Sequence, residues 1–141
     1  MAQERNKKID ITVLITSISQ REITLETASY FSQICSEVIL VDEEQPHLNN
    51  AEIEGLSNKG IRYFPYKNGC DQSLTSTYEK RLIGANEAKN KYLVHSNHDE
   101  RYTYEGLISC IEELENDKQL TFCVGQCVAI RKNDLGIYFT R

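Results

Sequence analysis

The sequence predicts an α/β fold: three layers (α/β/α), with helices on both faces of a mostly parallel sheet. Three observations point there. Short β-branched runs alternate with segments whose apolar residues recur at the helical period. The runs are apolar at successive rather than alternate positions, as in strands covered on both faces. A polar cluster directly follows each of the first four runs, at Thr16–Ser19, Asp42–Glu44, Tyr66–Cys70 and Asn97–Glu100. In open parallel sheets, ligands bind beyond the carboxyl ends of the strands, near the point where strand order reverses.

The first strand is expected over residues 11–16, with Ile11, Val13, Leu14 and Ile15 as core. Ser19 with Glu22 three positions on reads as a capping box opening the first helix. Ile23, Thr27, Tyr30, Phe31 and Ile34 form that helix's apolar stripe. The second strand is expected over residues 37–41, ending at the acidic cluster Asp42-Glu43-Glu44. A short helix follows around residues 51–57, with Gly60 near its carboxyl cap. The third strand, residues 61–64, is expected to stop at Pro65. A long helix is expected over residues 73–89, with Leu74, Tyr78, Leu82 and Ala85 buried. The fourth strand covers residues 92–96 and breaks into Asn97-His98-Asp99-Glu100. A helix carrying Tyr104, Leu107, Ile108, Ile111 and Leu114 on one face comes next. A fifth strand within residues 121–130 and a weak strand or tail at 136–141 complete the chain. Crossovers of this length call for parallel strands joined by right-handed connections.

The 141 residues fit one domain, 9–141, preceded by a flexible polar segment at 1–8 that is neither a signal nor a transit peptide. Hydrophobic residues make up 40% and charged residues 26%, an ordinary globular balance. A net charge of -5 argues against a chain that grips nucleic acid by bulk charge. Five cysteines without a CxxC pair read as free thiols in a reducing compartment, Cys70 being the most reactive. The expected location is cytoplasmic, with peripheral contact at the inner membrane left open.

Several chemistries are excluded by motif. There is no GxGxxG after the first strand, no GxxxxGK[ST] and no GxSxG elbow. His98-Asp99-Glu100 offers ligand-type side chains, but no HExxH or Cys/His ladder supports zinc. What remains is a carboxylate-bearing loop at the end of a central strand. Hard oxygen donors suit Mg²⁺ or Mn²⁺, which bridge a diphosphate. Tyr66 is a candidate to stack on a base. The alternative for residues 97–101 is a solvated turn.

Taken together, these residues resemble the family 2 glycosyltransferases of the GT-A, nucleotide-diphospho-sugar transferase fold, especially a divergent bacterial branch. Arg81, Gly84, Ala88 and Tyr92 stand at the spacing of that family's helix-to-strand pattern, and Asn97-His98-Asp99 stands where it has DxD. Leu14 to Ser17, Arg21, Val41-Asp42-Glu43 and Asn68-Gly69 follow the same order. The resemblance implies that Thr16 and Ser17 line a nucleotide-sugar pocket that also takes Asn97. It implies that Asp42 contacts the nucleobase or ribose, that Arg81 approaches the nucleotide or its phosphates, and that Asp99 coordinates a divalent metal. Asn97 in place of the first carboxylate weakens that metal site. The implied partners are a nucleotide-diphospho-sugar and an acceptor glycan or lipid-linked sugar. The catalytic base is not assigned, since family members place it after the fifth strand. Two alternatives stand beside sugar transfer: a degenerate, non-catalytic nucleotide-binding or protein-interaction module of the same fold and, more weakly, a nucleotidyltransferase. An apolar face left uncovered by an absent acceptor half would favour a homo-oligomer.

Overall fold

The computed structural model of the chain describes residues 7–18, 20–43, 48–66, 74–124, 129–133 and 136–140. The residues group into two compact units, Met1–Arg101 and Tyr102–Arg141. The first is built from β1 (Ile9–Thr16), α1 (Arg21–Ile34), β2 (Cys35–Glu43), α2 (Asn50–Asn58), β3 (Ile61–Tyr66), α3 (Leu74–Glu87) and β4 (Leu93–Asn97). The second holds α4 (Tyr104–Asn116), β5 (Ala129–Asn133) and β6 (Gly136–Thr140).

In the first unit the four strands form one sheet in the order β3-β2-β1-β4, every neighbouring pair parallel. The chain steps outward from β1 to β2 to β3. It then returns through α3 to lay β4 on the free side of β1. Strand order therefore reverses between β1 and β4. Their carboxyl ends meet there, with Thr16 in register with Asn97.

Both faces of the central strands are covered. Val13, Leu14 and Ile15 are all fully buried. Successive side chains point to opposite faces, so a single helical layer could not cover all three. Leu14 faces α3, where Gly84 sits against its side chain. Ser17 faces the other way, its hydroxyl 2.8 Å from that of Thr24 on α1. The α3-side core gathers Leu14, Ile39, Val41 and Tyr66, with Phe64, Ile83, Ala88 and Leu93 packed against them.

Several local expectations are corrected. α1 starts at Arg21 with Gln20 at its N-cap and no side-chain cap, and Ser19 lies outside the described residues. The capping box belongs to α2 instead: Asn49 accepts from the Glu52 N–H and Glu52 reaches back to Asn49. The buried stripe of α1 is Thr24, Thr27, Ala28, Phe31 and Ser32, while Ile23 is exposed. Pro65 does not stop β3. It pairs in register with Asp42 on an edge strand, where a missing N–H facing away from the sheet costs nothing. Gly60 (φ 75°) follows the α2 cap in the left-handed region glycine tolerates.

The largest correction concerns α3. Tyr78 and Leu82, read as buried, are exposed, and the residues set inward are Ser76, Lys80 and Gly84. Leu74 and the loop carrying Cys70, Asn68 and Gly69 give no described side chains.

In the second unit, Thr103 caps α4 by accepting from the Gly106 N–H at 3.1 Å, and Leu107 is the helix's buried residue. The expected fifth strand does not extend the parallel sheet. Residues 121–124 are irregular, 125–128 lie outside the described residues, and β5 pairs antiparallel with β6 in a separate two-stranded sheet. Leu120, Phe122 and Val124 are exposed. Among the described residues no helix is long and apolar enough to cross a membrane. Cys35 is buried, Cys110 half-buried and Cys123 exposed, each a free thiol, while Cys70 and Cys127 lie outside the described residues. Burial pushes the Cys35 thiol up to about 12, against a small lowering by Lys8, which leaves it unreactive.

Candidate functional site

The switch point between β1 and β4 opens into a cavity of about 280 Å³. Three elements supply its walls. Thr16, Ser17 and Ile18 come from the end of β1; Asn97, His98 and Asp99 from the end of β4; Thr77 and Lys80 from α3. The volume is at the small end of ligand sites, which run roughly 300–1,000 Å³. It takes a phosphate-sized or sugar-sized group, and a larger ligand would extend beyond its mouth.

Each wall has a local cause. Thr16 ends β1 in register with Val41 on one side and Asn97 on the other, and the chain turns away as the Ser17 N–H donates to Val41 O at 3.1 Å. The β4 side is a tight turn. Glu100 N–H donates to Asn97 O at 3.2 Å, and the Ser96 hydroxyl lies 3.0 Å from Asn97 O and 3.2 Å from Glu100 O. Asn97 in turn donates its backbone N–H and its side-chain amide to the two carboxylate oxygens of Glu100, at 3.0 and 2.9 Å.

The third wall carries a buried charge. Lys80 is 1% exposed, and its ammonium donates to Ser17 O at 2.9 Å and to Glu43 Oε1 at 3.1 Å. It also lies 5.4 Å from the Tyr66 ring centroid, and the Tyr66 hydroxyl donates to Glu79. A lysine this deep is tolerated because a carboxylate and a carbonyl replace its water. Tyr66, 4% exposed, is therefore part of the interior and presents no ring for a base to stack on.

The cavity unites Thr16, Ser17, Asn97 and Asp99, four of the residues singled out from the sequence. Asp99 is exposed at the rim. Asp42 and Arg81 are not among the lining residues. Asp42 is fully buried near the end of β2, and its charge, after burial, raises the Tyr63 hydroxyl above its ordinary value. Arg81 is exposed on α3; its charge adds to desolvation in lowering His95. Arg21 pairs with Glu52, joining α1 to α2 rather than reaching the cavity.

Sequence reasoning missed Lys80 and Thr77 altogether and left His98 open between a loop histidine and a ligand. A signal for Lys80 was present. Ser76 and Gly84 are small residues eight positions apart, and Lys80 lies midway between them on the helix face that comes closest to the sheet. Among the described residues, no group of three His, Cys, Asp or Glu side chains is placed to hold a metal. The exposed oxygen donor among the lining residues is the Asp99 carboxylate, with the Asn97 side chain beside it. Such donors suit a hard cation that takes its remaining ligands from phosphate and water.

Fold and cavity together define an α/β protein with a four-stranded parallel sheet and a cavity at its switch point. No protein-family model matches the chain, and no curated protein matches it.

Proposed function

We propose that this site binds a nucleotide-diphospho-sugar, and that the domain passes the sugar to an acceptor hydroxyl in the manner of a GT-A glycosyltransferase. One observation carries the reading: the first-strand residues Thr16 and Ser17 and the fourth-strand residues Asn97 and Asp99 line one cavity at the reversal of strand order. That is where an open parallel sheet binds nucleotides. In this reading Lys80 places a fixed cation beside the phosphates. Thr16 and Thr77 offer hydroxyls to ribose or phosphate, and α1 opens nearby without a side-chain cap on its N–H groups. Asp99 would hold Mg²⁺ or Mn²⁺ with the help of diphosphate oxygens. When bound, the ion neutralises charge on the departing diphosphate. The acceptor is a glycan or a lipid-linked sugar met on the cytoplasmic side.

Calorimetry with UDP, GDP and their sugars, with and without Mn²⁺, tests this. Binding is expected to strengthen with Mn²⁺ and to lose that dependence in Asp99→Ala. Absence of binding by every nucleotide in both conditions overturns the reading.

A second reading, a non-catalytic binding module, is favoured by the Asn97–Glu100 pairing. The Asn97 amide is turned to Glu100, so Asp99 is the one carboxylate among the lining residues. Asn97→Asp separates the two. Mn²⁺-dependent hydrolysis of a nucleotide-sugar in the variant, with none in the natural chain, marks the natural domain as a binder. Turnover by the natural chain that Asp99→Ala abolishes rules the module out.

A further inference from the structure

His98 is 6% exposed and lines the cavity, and among the described residues neither Nδ1 nor Nε2 has a hydrogen-bond partner. A neutral imidazole carries one donor and one acceptor, and burying such groups unsatisfied is costly. The surrounding turn shows no comparable shortage. Asn97, Ser96 and Glu100 exchange hydrogen bonds on every side of the histidine. The turn is thus held rigidly by its neighbours, while the ring it presents keeps both of its polar atoms uncommitted. Its companion in the same cavity is the buried ammonium of Lys80. The carboxylate among the lining residues, Asp99, is at the exposed rim. Lys80 is already paired with Glu43 and the Ser17 carbonyl, so the unmet donor at the cavity wall is the imidazole N–H, which suits an oxyanion.

We infer that His98 is a ligand-binding residue whose ring N–H donates to a phosphoryl oxygen held in this cavity beside Lys80. The inference shares the phosphate with the nucleotide-sugar reading but needs neither nucleotide nor sugar. The phosphoryl group can come from a nucleoside diphosphate or from a free pyrophosphate.

The test is side-chain ¹⁵N–¹H NMR of the whole chain in Mg²⁺. Its three histidines are resolved by the signal lost in His98→Gln. Inorganic pyrophosphate, UDP and UDP-glucose are titrated separately. The expected result is a saturable shift of the His98 nitrogens, with His47 and His95 unmoved, and a pyrophosphate affinity about tenfold weaker in His98→Gln, the loss of one hydrogen bond to a charged group. If UDP-glucose binds while the His98 signals stay in place, the inference falls and the nucleotide-sugar reading survives. If pyrophosphate moves His98 and the nucleotides bind no more tightly than pyrophosphate, the inference stands and the nucleotide-sugar reading falls. No shift with any of the three overturns the inference, as does equal affinity in folded His98→Gln. If that variant fails to fold, the signals lost in His47→Gln and His95→Gln identify His98 by exclusion, and the measurement on the natural chain decides the matter.

Discussion

At the scale of single residues, the Lys80–Glu43 pair governs the site. Their side chains are 1% and 4% exposed, so each ion depends on its partner for solvation. Lys80→Met leaves a carboxylate buried without its cation. Removing one member of such a pair costs about 3–5 kcal/mol, whereas replacing both with apolar groups is often close to neutral. Urea unfolding should show Lys80→Met strongly destabilised and Lys80→Met/Glu43→Leu recovering much of the loss. Equal losses in the single and double variants would refute this account of the pair. Asp42 and Glu43 are neighbours with separate fates, because adjacent strand residues face opposite sides of the sheet. Glu43 faces α3 and reaches the site through Lys80, while Asp42 faces the α1 side next to Tyr63.

At the scale of elements, α3 teaches the most. Its helical period was legible in the sequence, but its phase was not. Large apolar side chains usually mark the buried face, yet here Tyr78 and Leu82 point outward. The inward face is small because the helix lies close to β1. A Cβ on Gly84 would clash with both methyl groups of Leu14 and fall 2.9 Å from its Cγ. Leu14 is fully buried and has little room to yield. Gly84→Ala should therefore cost about 1–3 kcal/mol through overpacking. In the Leu14→Ala background the same change should cost less, since the clashing atoms are gone; thermal unfolding of the four proteins checks the coupling. The glycine and alanine of the helix-to-strand pattern are thus packing residues. Gly84 admits β1, and Ala88 packs against the Leu14 cluster.

At the scale of the whole molecule, one acidic side chain fastens several elements at the amino ends of the strands. Burial tends to raise the Glu37 carboxyl. Hydrogen bonds from Thr12, the Lys89 N–H and Arg62, with the charge of Arg62, prevail and hold it below its ordinary value of 4.5. Arg62 also grips Glu87 at the end of α3. A carboxyl with a lowered native value binds protons more readily when unfolded. Its stabilisation is complete above 4.5 and is lost as pH falls through the lowered value. Chemical denaturation from pH 7 to pH 3 should show stability declining on the acid side. The slope should be shallower in Glu37→Gln, and an unchanged slope would count against the assignment.

The sequence by itself determined the α/β class, the four parallel strands, and the polar strand ends that carry Thr16, Ser17, Asn97 and Asp99. These follow from local pattern: β-branched runs, helical period, and the abrupt change to polar residues where a strand leaves its neighbours. Tertiary structure decided which of those ends share a cavity, because strand order and not chain order sets proximity. It brought β4 beside β1 and set Lys80 of α3 against the ends of β1 and β2. It left Arg81 outside and sealed Asp42 within the sheet. It also freed β5 and β6 from the parallel sheet, since strand propensity specifies an extended chain but not its partner.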